Sequence, residues 1–211
     1  MAPAVNAKRE QTLKLLNGPA IEVTITSEAG ESRTWALPKA LLLHHSGYFQ
    51  RACSSDTFVE GQTNRVSIKD FEPKTFEMFV EFIYFGRYTY KDDLTDHYRV
   101  RDSAKAWVLG DYLDAVEFKN FAMRNLYNMY LPPGEETRPK TGIGHQMVDY
   151  CCSRASENSS LYGLIKDVLV VNWHTEELFI IKTQTDRPGT KPGSIFPSCA
   201  TTCCISRSRI L

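Results

Sequence analysis

Between residues 21 and 26, Ile21, Val23 and Ile25 alternate with Glu22, Thr24 and Thr26. A period of two predicts a strand with one buried face. The run Glu28, Ala29, Gly30, Glu31, Ser32 is a turn signal, and residues 34–37 predict the returning strand of a hairpin. Pro38 stands where a helix can begin, and Leu41, Leu42 and Leu43 give residues 39–46 a short apolar face. A third strand is predicted over 65–69, with Val66 and Ile68 on one side. The period then changes. Phe76, Phe79, Val80 and Ile83 fall at i, i+3, i+4 and i+7, predicting a helix over 73–85 that Pro73 opens and Gly86 closes. Residues 100–113 place Ala104, Val108, Leu109 and Tyr112 on one helical face. Residues 117–130 align Phe118, Phe121, Ala122, Asn125, Leu126 and Met129, and Pro132 stops that helix.

The pattern breaks after Leu131. Residues 132–142 hold three prolines, two glycines and no large apolar side chain, which predicts a linker or long loop. From 143 to 182 an apolar pattern returns, with Leu161, Leu164, Ile165, Val168 and Leu169 at helical spacing, and predicts a helical extension. In residues 183–211, 14 of 29 are Gly, Pro, Ser or Thr, too little apolar surface to offset the entropy of ordering, so this tail is expected to be disordered. Residues 1–19 form an N-terminal arm in which Leu13, Leu15 and Leu16 permit a weak helix over 8–16, or a floppy arm whose leucines cover the core of the same chain.

Charge adds little. With 25 Lys plus Arg against 25 Asp plus Glu there is no global field to draw in nucleic acid or an anionic membrane, so neither is an expected partner. No stretch approaches the roughly 18 apolar residues of a membrane span, and the first residues lack a secretory signal. A cytoplasmic or nuclear protein is expected. The cysteines are Cys53, the neighbours Cys151 and Cys152, and Cys199, Cys203 and Cys204, and adjacent pairs are poor disulfide material. Free thiols in a reducing compartment are the expectation.

Candidate chemistry is sparse. The nucleophile-elbow, dinucleotide and P-loop glycine motifs are absent from the sequence. The cysteines lack the two separated pairs of a structural zinc site, so no metal and no cofactor is expected. His44 and His45 are adjacent, which on a helix directs their side chains about 100° apart and argues against one shared site. Cys53 beside them could act as a thiolate with an imidazole base. A buried small hydrophobe is the preferred reading. Cys203 and Cys204 beside Arg207 and Arg209 admit palmitoylation, but accidental tail cysteines explain them as well. Phe76, Phe79, Phe82, Tyr84, Phe85, Tyr88 and Tyr90 are interleaved with Glu77 and Glu81 and not with basic residues, which favours helix packing, with the tyrosines at its exposed end, over a base-stacking platform.

A hairpin followed by amphipathic helices is an α+β layout. Within it, residues 20–131 resemble a BTB/POZ domain, with wording similar to the fungal branch of that family. The stretches that carry the resemblance are Ile21 to Ile25; Leu37, Pro38, Lys39 and onward through Tyr48 and Phe49; Phe58, Val59, Glu60; Phe76 through Gly86; and Ala106 through Leu113. The resemblance implies a short sheet capping a cluster of helices, and a non-enzymatic protein-interaction module.

The resemblance also marks positions. The family's usual His before the first core helix is replaced by Pro38. The charged pocket near the subunit contact of dimeric members aligns with Glu22 and Lys39, where the family has a shorter acid and usually an Arg. A Lys lacks the planar fork of Arg, so a monomer or weak homodimer is implied. In the family's ubiquitin-ligase adaptors a hydrophobic-x-Glu element ahead of the third strand docks a cullin scaffold, and Phe58, Val59, Glu60 matches it. Tyr48, Phe49 and Tyr112 are the other candidates for that partner surface. A loop with Phe58 in the core and Glu60 in solvent remains an open alternative. Two functions of other classes also stand: a self-assembling scaffold whose BTB-like part only oligomerises, and a cysteine-dependent enzyme.

Overall fold

The computed structural model describes residues 10, 13–53, 59–90, 99–130, 143–171 and 179–180. The expected linker, the tail from 183 onward and Phe58 lie outside the described residues. The chain forms two compact units, one of Met1–Tyr90 with Lys105–Ala122, the other of Lys91–Ala104 with Met123–Leu211.

In the first unit, β1 (Ala20–Thr26) pairs antiparallel with β2 (Ser32–Pro38) and parallel with β3 (Arg65–Lys69), giving the order β2-β1-β3. The alternation read from the sequence is the alternation of burial: Ile21, Val23 and Ile25 are wholly buried, as are Val66 and Ile68. Each such side chain contributes about 1.5–3 kcal/mol of hydrophobic stabilisation. The polar partners point outward, where Thr24 meets Thr34 at 2.9 Å and Thr26 meets Ser32 at 3.1 Å. Pro38 is the last residue of β2, at an edge, where its missing N–H is tolerated.

Three short helices follow: α1 (Lys39–His45), α2 (Gly47–Cys53) and α3 (Val59–Thr63). α4 (Pro73–Phe85) begins with Pro at its first position and ends on Gly86, whose φ of 68° is left-handed and costs a glycine little. The N–H of Gly86 donates to the carbonyl of Phe82 at 2.7 Å. Glu81 then holds the chain that returns from this cap, accepting from the N–H and the hydroxyl of Thr89 at 2.7 and 2.8 Å.

α4 is more buried than a single stripe allows, since Met78 and Phe82 join Phe76, Phe79 and Ile83 in the core. Phe118, on α6 (Val116–Tyr130), explains the excess. Its ring lies 5.3 Å from that of Phe79, 5.4 Å from Phe82 and 5.5 Å from Tyr88. Tyr88 is therefore a core residue, which corrects its expected place at an exposed helix end. Tyr84 and Tyr90 are exposed as expected, whereas Phe85, expected to pack with its helix, is exposed.

α5 (Asp102–Tyr112) is buried almost all round, with Ala104, Ala106, Trp107, Val108 and Leu109 all enclosed. Tyr112 leaves that set and is 46% exposed, which corrects its placing on the buried face. Lys119 lies over the Trp107 ring at 5.3 Å and pairs with Asp111 at 2.7 Å.

The second unit holds a two-residue parallel bridge of β4 (Ile143–Gly144) with β5 (Phe179–Ile180), and two helices, α7 (His145–Arg154) and α8 (Ser160–Val171). Leu161, Leu164, Ile165 and Val168 are buried at the spacing the sequence shows. α7 was not anticipated as a separate element, because Met147, Val148 and Cys151 are its only buried side chains. Arg101 is wholly buried and directs Nε toward the hydroxyl of Tyr130 at 3.4 Å.

At the N-terminal arm, residues 13–16 are helical, and Leu13 and Leu16 are exposed and do not cover the core. Among the described residues no helix is long and apolar enough to cross a membrane.

One cysteine expectation is corrected. Cys152 is disulfide-bonded, whereas Cys53 and Cys151 are free and buried. Neighbours on a helix point about 100° apart. Cys151 accordingly enters the core, where burial pushes its thiol up to about 12, while Cys152 is only half-buried.

Candidate partner-binding surface

The junction of α1 with α2 places the first aromatic candidate. Ser46 is buried, its hydroxyl donating to the Leu113 carbonyl at 2.6 Å and accepting from the Phe49 N–H at 3.2 Å. Two further bonds tie the start of α2 to the end of α5. The Gly47 N–H donates to the Asp114 carbonyl and the Tyr48 N–H to the Leu113 carbonyl, both at 3.1 Å.

Tyr48 and Tyr112 are thereby brought side by side, with ring centroids 5.3 Å apart. Phe71, just before α4, completes the cluster at 5.1 Å from Tyr112. All three rings are partly open to solvent. The Tyr48 phenol is pushed up to about 12, first by burial and then by the Tyr112 phenol to which it is hydrogen-bonded. The negative charge of Glu60, on α3, acts in the same direction.

Two of the five sequence candidates, Tyr48 and Tyr112, are thus paired, and the charge of a third, Glu60, acts on Tyr48. Phe49 does not join them: it is wholly buried, its ring nearly perpendicular to that of Tyr48 at 5.3 Å, so it is a core residue and not a surface one. Phe58 lies outside the described residues. Sequence reasoning missed Phe71, whose only signal was its place beside the opening of α4.

Glu22 and Lys39 each have a partner within the chain. Glu22 accepts from Arg65 Nε at 2.9 Å, because its parallel neighbour across β1 and β3 is Arg65 itself. Lys39 directs Nζ to the Asn64 side-chain carbonyl at 3.4 Å.

The nucleophilic constellation has different geometry from the one anticipated. The His44 and His45 rings do meet, edge to face at 4.8 Å, which corrects the expectation drawn from their helical spacing. His45 also lies against Phe82 at 6.4 Å. Its pKa is lowered by burial and by His44, with Glu117 opposing. The Cys53 thiol is pushed up by burial, and the charges acting on it are those of Lys39 and Glu60. A raised thiol is the opposite of what a thiolate nucleophile requires. Among the described residues no group of three or more His, Cys, Asp or Glu side chains could hold a metal ion.

With fold and surface described, the comparisons place the chain. The family model for the BTB/POZ domain matches residues 14–115. That part of the chain is a BTB/POZ domain, a protein-interaction fold. Among solved structures the chain is similar to the BTB domain of zebrafish PATZ1, at 12% identity and a TM-score of 0.37, the match covering 60% of this chain and 91% of that one. No curated protein matches the chain.

Proposed function

We propose that the BTB/POZ domain serves as an adaptor that docks a cullin scaffold of a ubiquitin ligase, working by binding and without chemistry of its own, in the cytoplasm or nucleus. The observation that carries this reading is the half-open cluster of Tyr48, Phe71 and Tyr112 with the Glu60 carboxylate at its side. Aromatic rings that keep exposed area are the anchors protein interfaces use most, and a carboxylate beside them supplies direction. Phe58, in the hydrophobic-x-Glu element, is the desolvated anchor of this reading and Glu60 the acceptor at its rim.

Self-association is weak or absent in the same reading, since Glu22 is engaged by Arg65 and Lys39 by Asn64 within one chain. The test is a pull-down of purified cullin N-terminal segments with the full chain and its Phe58→Ala, Glu60→Ala and Tyr112→Ala variants, each first checked for an unchanged melting temperature. Loss of the Phe58 anchor should cost roughly 2 kcal/mol or more in binding. If the wild-type chain captures no cullin at tens of micromolar, the adaptor reading is wrong and the partner is of another kind.

A further inference from the structure

The two tyrosines of the cluster come from elements far apart in sequence, so something must hold them in register. We infer that Gly47 and Asp114 are positioning residues for the Tyr48 and Tyr112 pair. This inference rests on the docking surface proposed above, but its first readout does not.

Every polar link between the two elements sits within two residues of one of the rings. Ser46, Gly47 and Tyr48 bond to the backbone of Leu113 and Asp114, immediately beyond Tyr112. The side chains close the same junction from outside, Arg51 donating to Asp114 Oδ2 at 2.9 Å. Asp114 has a φ of 50°, a conformation that few residue types other than Gly, Asn and Asp adopt readily. That turn aims its carboxylate across the start of α2.

The space it occupies is the space a side chain at position 47 would need. A Cβ there would lie 2.8 Å from Asp114 Cγ, nearer still to Oδ2, and 3.1 Å from Arg51 Nη1. The constraint on position 47 therefore comes from the Asp114 and Arg51 side chains, which would have to move to admit a Cβ, and not from its own backbone, whose φ is not among the positive values. Adding a methyl group must push the carboxylate off Arg51 or lift the start of α2 away from α5. Either movement begins one residue from the Tyr48 ring and two from Tyr112.

The experiment pairs a block with its relief. Gly47→Ala should change the near-ultraviolet circular dichroism that the adjacent tyrosine rings produce, with Tyr48→Phe and Tyr112→Phe identifying their share. Its melting temperature should fall by no more than about 2 °C, since the Asp114 and Arg51 side chains that must move are half-exposed or more. Asp114→Gly removes the obstructing carboxylate and accepts the positive φ, so the double variant Gly47→Ala with Asp114→Gly should regain the wild-type spectrum. Affinity for a purified cullin segment should fall about tenfold in the single variant and return in the double one.

A Gly47→Ala spectrum equal to wild type would overturn the inference. So would a spectrum changed by Gly47→Ala that Asp114→Gly does not restore. If the spectra behave as expected while the wild-type chain binds no cullin, the positioning role stands and the adaptor reading alone falls.

Discussion

The two charged residues expected near a subunit contact and the two tyrosines expected at a partner surface were equally plausible as sites, and the fold treats them in opposite ways. The Glu22 carboxylate pairs with Arg65, and Lys39 reaches the Asn64 side chain. Tyr48 and Tyr112 are joined, with Phe71 added, and still keep open surface. Strand register supplies Glu22 with a neighbour of opposite sign, Arg65. A half-buried ring has area left over that its own chain does not cover, and that area is what a partner can use.

The largest effect that separates core from surface within this cluster belongs to two adjacent residues. Phe49→Ala should lower the unfolding free energy by about 3–5 kcal/mol, measured by denaturant titration, because Phe49 is wholly buried. Tyr48→Ala should cost clearly less stability while abolishing the ring pair with Tyr112. Equal losses from the two would show that the tyrosine is core as well.

Binding should show the reverse order. Tyr112→Ala, at a residue 46% exposed, should weaken capture of the cullin segment by about 1–2 kcal/mol at an unchanged melting temperature, read by titration calorimetry. A variant that binds as well as wild type would remove Tyr112 from the surface.

His45 gives the comparison a pH handle. Its pKa lies below the ordinary value in the folded chain, chiefly through burial, so the unfolded chain takes up the proton first as pH falls. The stability it contributes is present above about pH 6.5 and is lost as pH drops through that value toward the folded pKa. His45→Gln should flatten the decline in melting temperature between about pH 7.5 and about pH 5.5. An unchanged slope would place the pH sensitivity elsewhere.

The smallest effects belong to the charged pair. Arg65→Ala, which frees Glu22, should change stability by less than about 1 kcal/mol, since both partners are well exposed. Glu22→Gln and Lys39→Met should leave the sedimentation of the chain at micromolar concentration where it is for wild type, mostly a 24.0 kDa species. A dimer that persists at nanomolar concentration and dissociates in either variant would reverse the assignment of these residues.

The elements with one buried face were legible in the sequence. β1 alternates because only one side of the sheet is covered, and α4 begins and ends on Pro73 and Gly86 as its sequence indicates. α5 was legible as a helix but not in its orientation, since burial on nearly every side leaves no polar stripe to read. α7 falls within the helical extension expected over 143–182 but was not legible as a separate helix, its three buried side chains being too few to form a pattern.

For the surface, the resemblance pointed to Tyr48 and Tyr112, which the fold pairs, and to Glu60, whose charge acts on Tyr48. It also pointed to Phe49, which one step along α2 turns inward. That Gly47 matters depends on a carboxylate at Asp114, and a spatial requirement between residues so distant leaves no local mark on the sequence. The same holds for Glu22, whose partner became visible only with the parallel register of β1 and β3.

The clasp at Ser46 has a consequence for the history of each molecule before it meets a partner. Its hydroxyl closes on a carbonyl 67 residues further along the chain, with β3 and α2 to α5 between the two ends. Loop closure of that length is entropically unfavourable until the intervening strand and helices have found their places. A nascent or partly assembled polypeptide thus has Tyr48 and Tyr112 but not the surface they make together. A partner that reads both rings would therefore meet them only in the folded chain.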